Sequence, residues 1–130
     1  MSKQFTLGKK ERLKSRKLIE QLFSEGQRFA ISPFRVHYVT GKIPGFLLQA
    51  GVGVSSRHFK KAVDRNRIKR LVREAWRLQK LTAEQALREQ NRSLHVFLIY
   101  TAKKLPVYTE VYEKMGRVMN KLSIIIATPT

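Results

Sequence analysis

Between Glu11 and Glu25 the apolar residues Leu13, Leu18, Ile19, Leu22 and Phe23 recur at helical spacing, and Gly26 follows as a natural stop. Phe34, Val36 and Tyr38 then alternate with Arg35 and His37, which predicts a strand with one polar face. Alternation puts Phe34, Val36 and Tyr38 on a common face without saying whether that face meets helices or a ligand. Gly41 to Gly45, with Pro44, reads as a turn, and Phe46 to Ser55 as a second strand interrupted by Gly51 and Gly53. Lys61 to Lys80 is helical, and Thr82 to Gln90 either extends that helix or forms a short extra one. His95 to Tyr100 is an unbroken apolar run, the mark of a strand buried on both faces. After Pro106, a final helix over Tyr108 to Leu122 carries Val111, Tyr112, Met115, Val118, Met119 and Leu122 along one side. Residues 1–10 read as a basic flexible arm and 123–130 as a C-terminal tail, leaving 11–122 as one domain. The element order is helix, strand, strand, helix, strand, helix, with room for one more strand before the second helix. It predicts an α/β fold: a small, mostly antiparallel mixed sheet packed with helices, with one sheet face open enough to form a groove.

Charge changes this picture more than length does. The 130 residues include 27 Lys and Arg against 9 Asp and Glu, a net charge of +18, yet 42% are hydrophobic, so the chain builds a core. Such a charge calls for a polyanion, and nucleic acid is favoured over an acidic membrane, which prefers a basic helix backed by large apolar residues. The absence of cysteine excludes a disulfide scaffold, a thiolate nucleophile and a Cys-ligated metal. Met1 to Lys10 has no apolar core of a secretory signal, and no apolar run approaches the roughly 20 residues of a membrane span. The expected location is the cytoplasm.

The second helix is the most informative segment. From Arg57 to Lys80, ten Lys and Arg residues face only Asp64 and Glu74, a net +8 in 24 residues. On a helical wheel Ile68, Leu71, Val72, Ala75 and Trp76 form a dry stripe expected to face the core. Asn66, Lys69, Arg70, Arg73, Arg77 and Lys80 gather opposite, with Arg65 and Arg67 at the margins. An ordinary solvated face mixes charge signs to avoid repulsion one turn apart, and this one does not. A polyanion relieves that repulsion.

The stretch from Ala62 to Glu74 resembles the Arg-Asn-Arg signature helix of the bacterial ribonuclease P protein subunit, whose pattern runs Ala-Val-x-Arg-Asn-Arg-x-Lys-Arg-x-x-Arg-Glu. Three further landmarks agree: Arg12-Leu-Lys14, the helix end Leu22-Phe-x-x-Gly26, and the strand Val52-Gly-Val-Ser55 ahead of a short basic connection. The resemblance covers roughly residues 10 to 120, and its one departure is Arg57-His58 where the family often has Lys-Lys. It implies a left-handed βαβ crossover, as in the second domain of a small-subunit ribosomal protein and against the usual right-handed rule. It also implies a division of labour. A catalytic RNA holds Mg²⁺ and cleaves the phosphodiester, while the protein binds that RNA and the 5′ leader of precursor tRNA, with no membrane or DNA partner. By this resemblance the candidate contacts to the catalytic RNA are Arg57, Lys60, Lys61, Arg65, Asn66, Arg67, Lys69, Arg70 and Arg73. Those expected to line a leader cleft are Ile19, Phe23, Phe34, Arg35, Val36, His37 and Tyr38.

The remaining chemistry agrees with a protein that has no catalytic residues and no metal ligands of its own. His37, His58 and His95 lie in different elements without metal-ligand spacing, and no carboxylate pair sits where two metals would be clamped. Trp76 belongs to the dry stripe, whereas Phe23 suits either the core or a base-stacking wall. Arg35 and His37 offer a cationic surface suited to a leader phosphate. Arg-Asn-Arg also occurs in basic zippers, but no leucine heptads follow here. A structural or ribosomal RNA-binding protein is the alternative that composition alone leaves standing.

Overall fold

Ser15 sets where the first helix begins: its hydroxyl accepts from the Leu18 N–H (3.4 Å) and its carbonyl from the Ile19 N–H (3.0 Å). In the computed structural model, which describes Arg12, Leu13 and residues 15–41 and 47–128, helix α1 therefore spans Arg16–Glu25 and not the longer stretch from Glu11. Leu13, expected on that helix, lies in an extended segment whose N–H donates to the Ala50 carbonyl (2.9 Å). The basic arm assigned to residues 1–10 and the turn around Pro44 lie outside the described residues.

Strands β1 (Gln27–Ile31), β2 (Phe34–Gly41), β3 (Leu48–Val54) and β4 (Ser93–Tyr100) form one sheet in the order β1-β2-β4-β3. The β1–β2 and β2–β4 pairs are antiparallel and β3–β4 is parallel, so the sheet is mixed and mostly antiparallel as expected. The optional extra strand is β1, placed before β2 and not next to the second helix. β4 sits between two partners with helices over it, which is why its sequence is an unbroken apolar run.

Helix α2 is a single 29-residue helix, Ala62–Gln90, so the segment from Thr82 continues it. Asn91 in the left-handed conformation ends it. Helix α3 runs Tyr108–Ala127, five residues beyond Leu122, and Ile126 is fully buried, so the expected tail is helical through Ala127. Gln79 Nε2 donates to the Tyr112 carbonyl (3.0 Å) and Arg92 Nη1 to the Ile126 carbonyl (2.8 Å), so the two helices lie side by side in the same direction.

The core lies between these helices and one sheet face. Phe34, Val36, Tyr38, Leu94, Val96 and Leu98 meet Ile68, Val72, Ala75, Trp76, Val111, Met115 and Leu122 there. Two positions depart from the helical-wheel reading. Leu71 is half-buried at the margin of the stripe, outside the core. Lys80, expected on the cationic face, is buried (1% exposed) because it continues the four-residue repeat Ile68, Val72, Trp76.

Candidate nucleic-acid interface

The dry stripe of α2 fixes the direction of its other face. With Ile68, Val72, Ala75 and Trp76 held in the core, Asn66, Arg67 and Arg70 are exposed and Lys69, Arg73 and Arg77 half-buried. The N-terminal segment completes this face, because pairing of Arg12 and Leu13 with Ala50 on the edge strand β3 brings the Arg12 side chain to α2. Arg12, Asn66, Arg70, Arg73, Glu74 and Arg77 line a concave site of about 480 Å³. Glu74 is its one carboxylate, and it is engaged: Arg77 Nε donates to its Oε2 (3.1 Å) and Arg77 Nη2 to its Oε1. That hydrogen bond raises the Arg77 pKa. Arg73 moves the other way, lowered first by burial and then by the neighbouring Arg12 charge. A site that presses guanidinium groups together against their own repulsion is suited to a phosphate, whose oxygens accept the paired N–H donors of arginine.

The sequence-predicted residues divide around this cup. Asn66, Arg70 and Arg73 line it; Arg67 and Lys69 flank it on the same helix. Arg57, Lys60 and Lys61 are exposed on the connection between β3 and α2. Arg65 acts within the fold, where its Nη1 donates to the Phe59 and Lys60 carbonyls (both 2.8 Å) and braces the loop that enters the helix. Arg12 is not among the contacts predicted from sequence. Its signal is the Arg12-Leu-Lys14 landmark, but only strand pairing across the chain shows where that arginine goes.

The second candidate surface lies on the opposite sheet face, and there the expected cleft needs correction. Phe34, Val36 and Tyr38 are buried in the core under α2 and α3 and cannot line it. The open face consists of their alternates, Arg35, His37 and Val39, beside His95, Phe97 and Ile99 of β4. α1 crosses this face. Its Phe23 stands edge-on to His37 (ring centroids 4.6 Å) and to Phe97 (5.4 Å), and is still 44% exposed. Phe97 in turn lies over β3 where Gly51 and Gly53 carry no side chain: a Cβ at either would come within 2.8 Å of its ring. Leu18, Gln21, Leu22 and Glu25 of α1 enclose a cavity of about 250 Å³ with Val39 and His95; Ile19 of the same helix is half-buried and does not line it. On β1, Arg28 pairs directly across from His37, a further cation on this face that the sequence pattern does not single out. None of the four strands contains Asp or Glu. The His37 pKa is lowered, by burial first and then by Arg35 and Arg28.

Among the described residues no three His, Asp or Glu side chains converge as metal ligands, and no helix is long and apolar enough to cross a membrane. The arrangement presents a cationic cup on one side and aromatic and cationic groups on the other. The family model described as Ribonuclease P matches residues 7–123. The ribonuclease P protein component of Porphyromonas gingivalis is 34% identical over 120 residues, covering 92% of this chain and 88% of that protein. Among solved structures, the RNase P protein from Thermotoga maritima superposes with a TM-score of 0.68 at 23% identity, over 85% of this chain and 96% of that one. The RNase P protein of Staphylococcus aureus gives 0.68 at 21% identity, over 85% and 94%.

Proposed function

The chain belongs to the ribonuclease P protein family, and on that footing we propose that it is the RNA-binding subunit of a cytoplasmic ribonucleoprotein that removes the 5′ leader of precursor tRNA. The observation that carries this reading is the cup of Arg12, Asn66, Arg70, Arg73 and Arg77, a surface shaped for the phosphates of a folded RNA. The partner on that side is the catalytic RNA. The face under α1, with Phe23, Phe97, Arg35 and His37, receives the single-stranded leader, where an exposed aromatic edge and flanking cations suit unpaired nucleotides. On this reading Mg²⁺ and the cleavage belong to the RNA, whose phosphates supply the hard oxygen ligands that the ion prefers. The protein contributes binding and orientation.

The test is cleavage of precursor tRNA by the purified protein with and without a cognate catalytic RNA, in Mg²⁺. The expected result is no cleavage by protein alone and stimulated cleavage by the pair. Cleavage by rigorously RNA-free protein overturns the reading. Tight RNA binding without stimulation replaces it with a structural RNA-binding role.

A further inference from the structure

The open sheet face concentrates positive charge at one place. Arg28 on β1 and His37 on β2 are direct cross-strand partners, and Arg35 lies two residues from His37 on the same face. Cross-strand neighbours stand about 5 Å apart at Cβ and diagonal ones about 7–8 Å, and like charges opposite one another destabilise a sheet. The strands supply no carboxylate to offset them. Arg28 and Arg35 are exposed, whereas His37 is buried (6% exposed) beneath Phe23, with Phe97 as its partner on β4. On α1, Glu20 and Arg16 lie one and two turns before Phe23 and share its side of the helix. Beyond Phe97, β3 presents Gly51 and Gly53, which carry no titratable group. On β4, His95 lies on the same face, opposite Val39 and diagonal to His37, and is also buried. The patch is two guanidinium groups open to solvent over the sheltered His37 imidazole, with the His95 imidazole beside it.

We propose that Arg28 and Arg35 hold a phosphodiester of the leader on this face, and that His37 takes up a proton when that phosphate binds. The proposal rests on the leader reading above and adds its regulation by pH. In the free protein burial, and after it the charges of Arg35 and Arg28, disfavour the protonated imidazole. A phosphate between them cancels the repulsion that disfavours its proton, so binding and protonation reinforce each other. Leader affinity then rises as pH falls, at no more than about tenfold per pH unit for a single proton.

The experiment measures affinities of precursor tRNA, and of the same tRNA without its leader, for the assembled complex of protein and catalytic RNA. It is run from about pH 8 down to about pH 6 at fixed ionic strength. Taking the ratio of the two affinities removes pH effects common to both RNAs. The ratio is expected to rise roughly three- to tenfold over that range, to flatten with pH in His37→Gln, and to fall at every pH in Arg28→Ala. A flat ratio in the wild type, or a slope that survives His37→Gln, overturns the proposal. Because His37 is buried, the unsubstituted protein supplies a second readout: its imidazole resonance should titrate at higher pH once a single-stranded leader oligonucleotide is added, and an unmoved midpoint also overturns it. Failure of the underlying reading looks different: no leader-dependent affinity at any pH, or Arg70→Ala leaving catalytic-RNA affinity unchanged.

Discussion

At the scale of single residues, α2 separates folding from binding. Ile68 is fully buried, so Ile68→Ala should cost about 2–5 kcal/mol by opening a cavity that the core only partly refills. Arg70 is exposed in the cup, and Arg70→Ala should change stability by less than about 0.5 kcal/mol while sharply weakening RNA binding. Arg70→Lys should recover only part of that loss, since an ammonium lacks the planar donor fork. Thermal melts and RNA titrations on the same three variants check this, and an arginine variant that melts early while binding normally would make the cationic face structural. His37 and His95 give a second expectation. Burial lowers both pKa values below the ordinary 6.5, so the unfolded chain binds more protons than the folded one in the interval below that value. The stability they confer is complete above about pH 6.5 and is lost as pH falls through the folded values. The melting temperature of the free protein should therefore drop on acidification, and less so in His37→Gln. Protons thus weaken the free fold while favouring its leader-bound form.

At the scale of elements, the fit between β3 and β4 can be tested by size. A Cβ at Gly53 would meet only the Phe97 ring (2.8 Å), whereas one at Gly51 would also meet the Leu13 carbonyl oxygen (2.9 Å). Each Gly→Ala change should cost about 1–3 kcal/mol as an overpacked contact. Adding Phe97→Leu should relieve Gly53→Ala more than Gly51→Ala, because a backbone carbonyl cannot step aside as a ring can; equal relief in denaturant melts would contradict the packing. The same elements show what sequence reading reaches. Strong periodicity locates α2, the apolar run locates β4, and alternation places Phe34, Val36 and Tyr38 together. Alternation does not say which face is inward, because that depends on where α2 and α3 pack, and three residues of the core are expected in the cleft for that reason. β1 escapes the pattern because five residues with only two apolar ones, Phe29 and Ile31, on the inward side beside the polar Gln27 make a weak signal. Lys80 is misplaced when its charge is weighed above its position in the repeat. The cup is legible as to Asn66, Arg70 and Arg73, all on one helix, and illegible as to Arg12, which arrives by pairing with a distant strand.

At the scale of the whole molecule, the net charge of +18 makes RNA binding a contest with salt. Each phosphate neutralised releases condensed counterions, so about five contacts from the cationic face should give a log–log slope of about −3 to −5 for affinity against salt concentration. Titrations at several ionic strengths measure it, and a slope near zero would exclude phosphate as the main contact. The sheet order has a consequence of another kind, in the timing of synthesis. β4 lies between β2 and β3 but is made after both, with the whole of α2 in between. A nascent chain that has reached Arg92 holds its signature helix and two of the sheet's inner edges, yet those edges have no strand to join them. β4 itself is the next eight residues, Ser93–Tyr100, which take about 0.4–1.6 s at ordinary translation rates. For that interval the cationic helix has been made, inside a ribosome that is itself a body of RNA, while the strand that anchors it against the sheet has not.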